Sequence, residues 1–286
     1  MNSLPPRSFH AALGPITIAA LLVLLAWLFT SGRSPAPRFA PPGAVSASVI
    51  EQAQPALALP LSGSYSSRST QRLLVMSADE LLSEQEEARL AADLERALDY
   101  VVVRFGHSPN GTISTYLGHE PTCGLHGIAY TSMRTVQVFT CRELPLSRAL
   151  SIAAHEFVHQ LSHDRYGKAH LQADLVLMEG VATWGAGSYW LGHAPDFRTF
   201  VRPWLERNEA LPLATSYVGR PISDMNKLYY QWASFVEFLL ERDGRERFDI
   251  LYTTGSGAPG SADYRRVYQR TFAELEAEWK AWVLGP

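Results

Sequence analysis

The sequence has little net charge and no stretch in which lysine and arginine cluster. Its 286 residues include 25 Lys and Arg against 28 Asp and Glu, which gives a formal net charge of -3. Proteins that bind nucleic acid through its phosphates normally present a basic patch. The charge pattern therefore argues against nucleic acid as a partner. Because 47% of the residues are hydrophobic, the chain has enough apolar side chains for a sizeable core.

Cysteine is scarce, since Cys123 and Cys141 are the only two in the chain. The residues between them form two alternating runs around a Thr-Ser-Met-Arg turn, with Ser132 at the midpoint. A hairpin centred on Ser132 would bring the two cysteines opposite each other. We therefore expect a disulfide in an oxidising compartment. Two unpaired buried thiols are the alternative.

Charged residues are absent from residues 11–30, which are mostly apolar. A helix needs about 20 apolar residues to cross the hydrocarbon core of a membrane, whereas the apolar part of a secretory signal is typically about 7–15 residues long. The run predicts a retained membrane anchor that follows a short tail, residues 1–10. A cleaved signal peptide is the alternative. Both interpretations place the rest of the chain outside the cytoplasm, either as the ectodomain of a single-pass membrane protein or as a secreted protein.

Residues 31–64 are dominated by Pro, Ala and Ser and follow no helical or strand period. This composition is typical of a linker. We assign the folded domain to residues 65–286. Strand-like runs come first in it, and helical patterns follow from Pro145 onward. Elements segregated in this way predict an α+β domain.

Several elements of this domain have clear boundaries in the sequence. Ser83 and Glu86 form a capping-box pattern that opens a helix, and Gly106 ends it. Ser147 is the expected cap of the helix that contains residues 155–159. Apart from these two helices, we expect strands at 71–77 and 111–118 and helices at 177–190, 228–242 and 272–283.

The segment HEFVH, residues 155–159, interrupts an otherwise apolar helical run. Positions four apart lie on one face of a helix, so His155 and His159 point the same way and can both reach one metal ion. Glu156 lies one position round the helix, where its carboxylate can act as general base on a metal-activated water. The spacing predicts a zinc site for hydrolysis. Two hydrogen-bonded histidines in a core are the structural alternative.

A hydrolytic zinc site requires a third protein ligand. Glu179 is the candidate, because it lies in the apolar segment LVLMEGVATWGAG, twenty residues after His159. A turn would let its helix return beside the first one. A surface glutamate at a helix start is the alternative. His163 lies one turn too far along the helix and His170 falls in a polar loop, so both rank below Glu179.

The HEFVH segment and a Glu-Gly pair about twenty residues later resemble the gluzincins, the thermolysin-like zinc peptidases. The stretches YYQWASFVEFLLERDG and TFAELEAEWKAWV resemble helices of the bacterial peptidase-MA-like families. This resemblance implies a zincin-like fold, with an active-site helix between a mixed sheet lobe and a helical lobe. It implies Zn2+ held by His155, His159 and Glu179. It also implies that Glu156 is the general base and then the proton donor, with a peptide or protein as substrate.

The resemblance extends to Tyr230, which precedes the small residue Ala233 by three positions. It matches the tyrosine that stabilises the oxyanion in the aminopeptidase branch, although an ordinary half-buried tyrosine is the alternative. The edge strand expected at residues 127–139 would pair with an extended peptide.

Two departures from the pattern bear on function. The segment GLHGIAYTSM lacks the acid with which the aminopeptidase branch binds a substrate amino terminus, which favours an endopeptidase. Thr183 stands where thermolysin-like members have an aspartate beside a histidine ligand, so the partner of that histidine stays open.

Together these patterns predict a membrane-anchored, extracytoplasmic zinc peptidase. The alternative is a non-catalytic module that keeps the fold for binding or structure, and the presence of Glu156 argues against it. An intramembrane protease does not fit, because HEFVH lies far from the membrane-length segment at residues 11–30. No pattern in the sequence specifies an oligomeric state or a particular substrate.

Overall fold

A computed structural model describes residues 65–78 and 81–286 of the protein. The predicted tail, anchor and linker, residues 1–64, lie outside these ranges. Within the ranges, no helix combines the length and the apolar character needed to span a bilayer.

The first part of the domain is a five-stranded sheet. Its strands are β1 (Tyr65–Ser69), β2 (Leu73–Ala78), β3 (Ile113–His119), β4 (His126–Tyr130) and β5 (Thr135–Thr140). They lie in the order β1-β2-β3-β5-β4. The three central strands are parallel, while β1 and β4 pair antiparallel with their neighbours at the two edges. The expected mixed sheet is therefore confirmed. The edge strand expected at residues 127–139 is wrong in extent, because β4 alone lies at the edge and β5 lies between β3 and β4.

Eight α-helices make up most of the remainder of the described residues. They are α1 (Glu84–Phe105), α2 (Leu146–Tyr166), α3 (Leu175–Ala186), α4 (Ser188–Leu191), α5 (Phe197–Glu206), α6 (Ile222–Tyr252), α7 (Tyr264–Tyr268) and α8 (Phe272–Leu284). All but α1 follow the last strand, so the α+β interpretation is confirmed.

The capping signals of α1 act as predicted. Ser83 and Glu86 form a reciprocal capping box, and Gly106 ends the helix with a φ of 74°, a left-handed conformation that glycine adopts without steric cost. By contrast, the expected cap of α2 is wrong. The helix begins at Leu146 after Pro145, so Ser147 already lies inside it. Pro145 fixes the backbone before the first turn without a side-chain hydrogen bond.

Helix α3 begins earlier than expected because a tertiary contact overrides the local pattern. Asp174 caps α3 earlier than expected, and its buried carboxylate also accepts the backbone N–H groups of Gly260 and Ala262. The expected end of a helix at Gly244 is confirmed, since its φ of 79° and ψ of 171° are not helical, and a second helical segment continues α6 from there to Tyr252.

The two cysteines form the expected disulfide. A short 3-10 turn, Thr131–Met133, joins β4 to β5, so the hairpin turns at the predicted place. Cys123 and Cys141 are disulfide-bonded with a Cα–Cα distance of 5.1 Å. The bond ties the segment before β4 to the end of β5.

Helix α2 lies between the two parts of the domain. It packs against β4 and β5 on one side and against α1 and α3 on the other, and an unbroken run of its residues is buried. Helix α3 in turn packs along α6. A Cβ atom at Gly180 of α3 would lie 2.6 Å from the Trp232 carbonyl oxygen of α6, so the two helices touch through their backbones.

Candidate metal centre

Two histidines of α2 and one glutamate of α3 converge in the interior. The Nε2 atoms of His155 and His159 lie 3.1 Å apart. The Oε2 atom of Glu179 is 3.2 Å from the first of them and 3.6 Å from the second. All three side chains are at most 2% exposed. Their ligand atoms lie within 4.8 Å of one another, so the group could hold a metal ion.

The sequence produces this convergence through helix spacing and two glycines. The histidines lie one helical turn apart, so their rings share a face of α2. A Cβ atom at Gly185 of α3 would lie 2.7 Å from Val158 Cγ2 of α2, so the absence of a side chain there lets the two helices approach closely. Gly180 provides the same close approach between α3 and α6. Glu179 is therefore held on a helix that is fixed from both sides.

The charges of the group suit a divalent cation. Burial lowers the pKa of His155 to about 4, which keeps its ring neutral, as a metal ligand must be. Burial alone would raise the pKa of Glu179, but hydrogen bonds from both histidines hold it below its ordinary value. Two imidazoles and one carboxylate form a donor set that zinc accepts.

Thr183 provides the partner for the remaining nitrogen of His155. Its buried hydroxyl lies 3.3 Å from His155 Nδ1. In the neutral ring one nitrogen carries the proton and the other accepts. Without a metal the ring donates its proton from Nε2 to Glu179 Oε2. A metal bound at Nε2 would place that single proton on Nδ1, where the Thr183 hydroxyl would accept it. A neutral hydroxyl thus occupies the position that the sequence left open.

Glu156 lies beside the cluster, under the edge strand. A Cβ atom at Gly127 of β4 would fall 2.8 Å from Glu156 Oε1, so only glycine permits this approach. The carboxylate accepts the backbone N–H of Ala129, and burial raises its pKa to about 8. Within the described part of the chain, Glu156 Oε2 is buried without a hydrogen-bond partner. Such an oxygen costs stability unless it serves a ligand, and the donor set beside it fits a zinc ion with a reacting water.

The tyrosine at the cluster is Tyr229, and the structure does not place the expected Tyr230 there. The Tyr230 hydroxyl donates to the Trp190 carbonyl oxygen at 2.9 Å, and its ring stacks on Phe200. The Tyr229 ring lies 5.6 Å from that of His155, and its hydroxyl hydrogen-bonds to Glu179. Helix α6 presents its apolar stripe to α3, so the tyrosine on the stripe meets the cluster and its neighbour turns away.

The two rival histidines lie behind the cluster and have other partners. His163 Nδ1 lies 2.7 Å from the Thr131 hydroxyl. His170 was expected in a polar loop, but it is buried and its Nδ1 lies 2.9 Å from the Tyr252 hydroxyl. Its loop is a short 3-10 helix, Gly167–Gln172, that folds back onto the end of α2. The ring of His170 is 5.6 Å from that of His159.

Trp190 is a further residue of the site, and the sequence left it open as either a core residue or a substrate contact. Its ring stacks on His155 at 5.1 Å, and its Nε1 donates to the Ser151 carbonyl oxygen. Both contacts are with α2, so Trp190 forms an apolar wall against the ring of His155. A large aromatic residue so soon after the helix of Glu179 was the available signal for it in the sequence.

Comparisons with known proteins give structural matches only. No family model matches the sequence, and no curated protein matches it either. An M1 zinc metallopeptidase from Deinococcus radiodurans is similar with a TM-score of 0.41 and 18% identity, over 77% of this chain and 51% of that one. A mutant of a two-domain M1 zinc metallopeptidase bound to L-arginine has a TM-score of 0.41 and 18% identity, over 78% and 52% of the two chains. An aminopeptidase N family protein from Idiomarina loihiensis has a TM-score of 0.36 and 11% identity, over 78% and 42%.

This chain therefore spans about half the length, or less, of the solved structures it matches. At these identities and TM-scores the similarity assigns no activity to it.

Proposed function

We propose that the protein is a zinc-dependent peptidase. The observation that carries the proposal is the buried group of His155, His159 and Glu179, whose ligand atoms lie within 4.8 Å of one another, beside the unpartnered carboxylate oxygen of Glu156. A purely structural cluster would satisfy that oxygen with a neighbouring donor. A hydrolytic centre keeps it available for water.

The two histidines and Glu179 would hold the zinc ion. When bound, zinc acts as a Lewis acid that polarises a carbonyl group and lowers the pKa of a water molecule. Glu156 takes the proton of the attacking water at Oε2 and delivers it to the leaving amine. Its fixed position under β4, where Ala129 donates to the carboxylate, orients that oxygen before substrate arrives.

Tyr229 replaces Tyr230 as the proposed stabiliser of the oxyanion. Its hydroxyl is buried beside Glu179, so it is a hydrogen-bond donor next to the metal group. A donor in such a place stabilises the negative charge that develops on a substrate carbonyl oxygen. Removal of one oxyanion donor typically costs about 10²–10³ in kcat.

The substrate is proposed to be an extended peptide that pairs with the outer edge of β4, the edge opposite β5. Ala129 directs its N–H toward Glu156 and away from β5, so the outer edge of the strand faces the catalytic carboxylate. Main-chain pairing at an exposed edge recognises extended peptides without regard to their ends. This mode of binding favours an endopeptidase over an aminopeptidase.

We further propose that the domain works outside the cytoplasm, on an anchor formed by residues 11–30. The disulfide between Cys123 and Cys141 supports this location, because such bonds persist in oxidising compartments. Alkylation of the two cysteines in intact cells, before and after reduction, tests it. Complete alkylation without reductant would contradict it.

Elemental analysis of the purified protein tests the metal centre. We expect one zinc per chain, lost in both His155→Ala and Glu179→Ala. Glu156→Gln should retain the zinc and lose hydrolysis of unfolded casein by about 10²–10⁴. A wild-type protein that folds with zinc present and contains none would refute the proposal. Zinc without hydrolysis of any peptide would instead support the non-catalytic alternative.

A further inference from the structure

A cavity of about 570 Å³ lies at the turn end of β4. It is lined by Ser132, His163, Lys168, Leu171, Gln172 and Ser256. The cavity contains a lysine and a histidine but no carboxylate. Among the described residues, the Lys168 ammonium group has no ion-pair partner, and the side chain is exposed. The lining therefore suits a negatively charged group.

The cavity is continuous with the proposed peptide path. Thr131 directly follows β4 and contacts His163, which lies on α2 one helical turn beyond the ligand His159. The edge strand and the active-site helix thus run side by side from Glu156 to the cavity. Ser132 is three residues beyond Ala129, the residue whose N–H meets Glu156. Glu156 and the cavity residue His163 are seven residues apart on α2, so at about 1.5 Å per residue the cavity lies about 10 Å from the catalytic carboxylate.

The direction of the peptide decides which of its residues reaches the cavity. β4 pairs antiparallel with β5, and antiparallel pairs outnumber parallel ones by about two- to three-fold. A peptide added antiparallel to β4 runs from the Ser132 end toward His126. Its residues on the N-terminal side of the scissile bond therefore lie at the cavity.

We propose that this cavity is a substrate subsite for an aspartate or glutamate side chain, about three residues before the scissile bond. The proposal rests on the proposed peptidase function and names its substrate class. Lys168 is the specificity-determining residue, because its ammonium group pairs with the acidic side chain. The same cation repels the α-amino group of a peptide end, so the subsite favours cleavage within a chain. An exposed ion pair favours the charged partner by up to about five-fold.

Cleavage of a randomised peptide mixture by the full-length zinc-loaded protein tests the subsite, with mass spectrometry to locate each cut. We expect aspartate and glutamate to be enriched up to about five-fold at the third position before the cut. Lys168→Met should abolish the enrichment, and Lys168→Glu should replace it with a preference for lysine and arginine. Lys280→Glu is the matched control, since that lysine lies on α8 in an ion pair with Glu276, and its profile should equal that of the wild type.

An unchanged profile in Lys168→Glu, or enrichment of acids after the cut and not before it, would overturn the subsite. Failure of the peptidase function has a different signature, because the wild type would then cleave nothing. In that event, fluorescence anisotropy of Glu-rich and Lys-rich peptides on Glu156→Gln still decides the matter. Tighter binding of the Glu-rich peptide, reversed by adding Lys168→Glu, supports the acidic subsite, and equal binding of the two peptides overturns it.

Discussion

The close contact between α3 and α6 predicts that one substitution, Gly180→Ala, lowers both the stability of the fold and the affinity for zinc. Gly180 is next to the proposed ligand Glu179, and it faces the backbone of the helix that carries Tyr229. A Cβ atom at Gly180 would lie 2.6 Å from the Trp232 carbonyl oxygen and 2.8 Å from Val236 Cγ2. The substitution Gly180→Ala adds only this one methyl group. The obstacle is helix backbone, so rotation of a side chain does not remove it.

The magnitude follows from the overlap. An ordinary contact begins at 3.4 Å, so α3 and α6 must separate by about 0.8 Å. Overpacking of this kind costs about 1–3 kcal/mol, and a backbone obstacle belongs at the upper end. Alanine recovers about 1 kcal/mol of helix propensity over glycine. We therefore expect Gly180→Ala to lower the free energy of unfolding by about 2 kcal/mol.

Gly185→Ala is the matched control in the same helix. Its Cβ atom would lie 2.7 Å from Val158 Cγ2, a similar overlap with a side chain that can shift. The overpacking cost therefore falls at the lower end of the range, about 1 kcal/mol, and the gain in helix propensity offsets it. The net change in the free energy of unfolding should be about 0 kcal/mol. Urea unfolding followed by tryptophan fluorescence measures both variants.

Zinc affinity separates the two variants further. Metal ligands tolerate displacements of about 0.2 Å, whereas Gly180→Ala displaces the helix of Glu179 by several times that distance. Competition with a chelator should show zinc binding at least about ten-fold weaker in this variant. Equal stability and equal zinc affinity of Gly180→Ala and Gly185→Ala would refute the argument that α3 is fixed by backbone contact with α6.

Three further predictions concern the surroundings of the site. Thr183→Val should weaken zinc binding by about 10–100-fold in the same competition assay, because His155 Nδ1 loses its acceptor, while Thr183→Ser should restore it. Gly127→Ala should lower peptide hydrolysis much more than zinc content. Its Cβ atom would lie 2.8 Å from Glu156 Oε1 and would displace that carboxylate, but it touches none of the three proposed zinc ligands. A parallel loss of hydrolysis and zinc would contradict this. Burial raises the pKa of Glu237 from 4.5 to about 7. The free energy of unfolding should therefore fall by about 3 kcal/mol as the pH rises from 4.5 through 7. Glu237→Gln should make the fall smaller by about this amount in urea unfolding at each pH, while the raised pKa of Glu156 keeps its own contribution in the same direction.

The features predicted from the sequence are those that depend on neighbours along the chain. The spacing of HEFVH places two histidines on one helix face whatever surrounds the helix. The capping box at Ser83 and the alternating runs between Cys123 and Cys141 are equally local, so the start of α1 and the hairpin were predictable. Glu179 was found because a carboxylate in an apolar segment requires a partner.

The features that the sequence did not predict depend on how helices rotate and approach one another. Tyr229 and Tyr230 are adjacent, and only the packing of α6 against α3 decides which of them meets Glu179. His170 reads as a loop residue until the 3-10 helix, Gly167–Gln172, folds it onto the end of α2.

The sequence by itself therefore determined that His155 and His159 share one helix face with Glu156 beside it, because helical periodicity orients side chains that share a helix. The tertiary structure decided that Glu179 meets the two histidines, that Tyr229 and not Tyr230 lies beside it, that Thr183 is the hydroxyl partner of His155, and that α3 approaches α6 closely at Gly180. Each of these joins residues of different elements, and their distances depend on packing of the whole core.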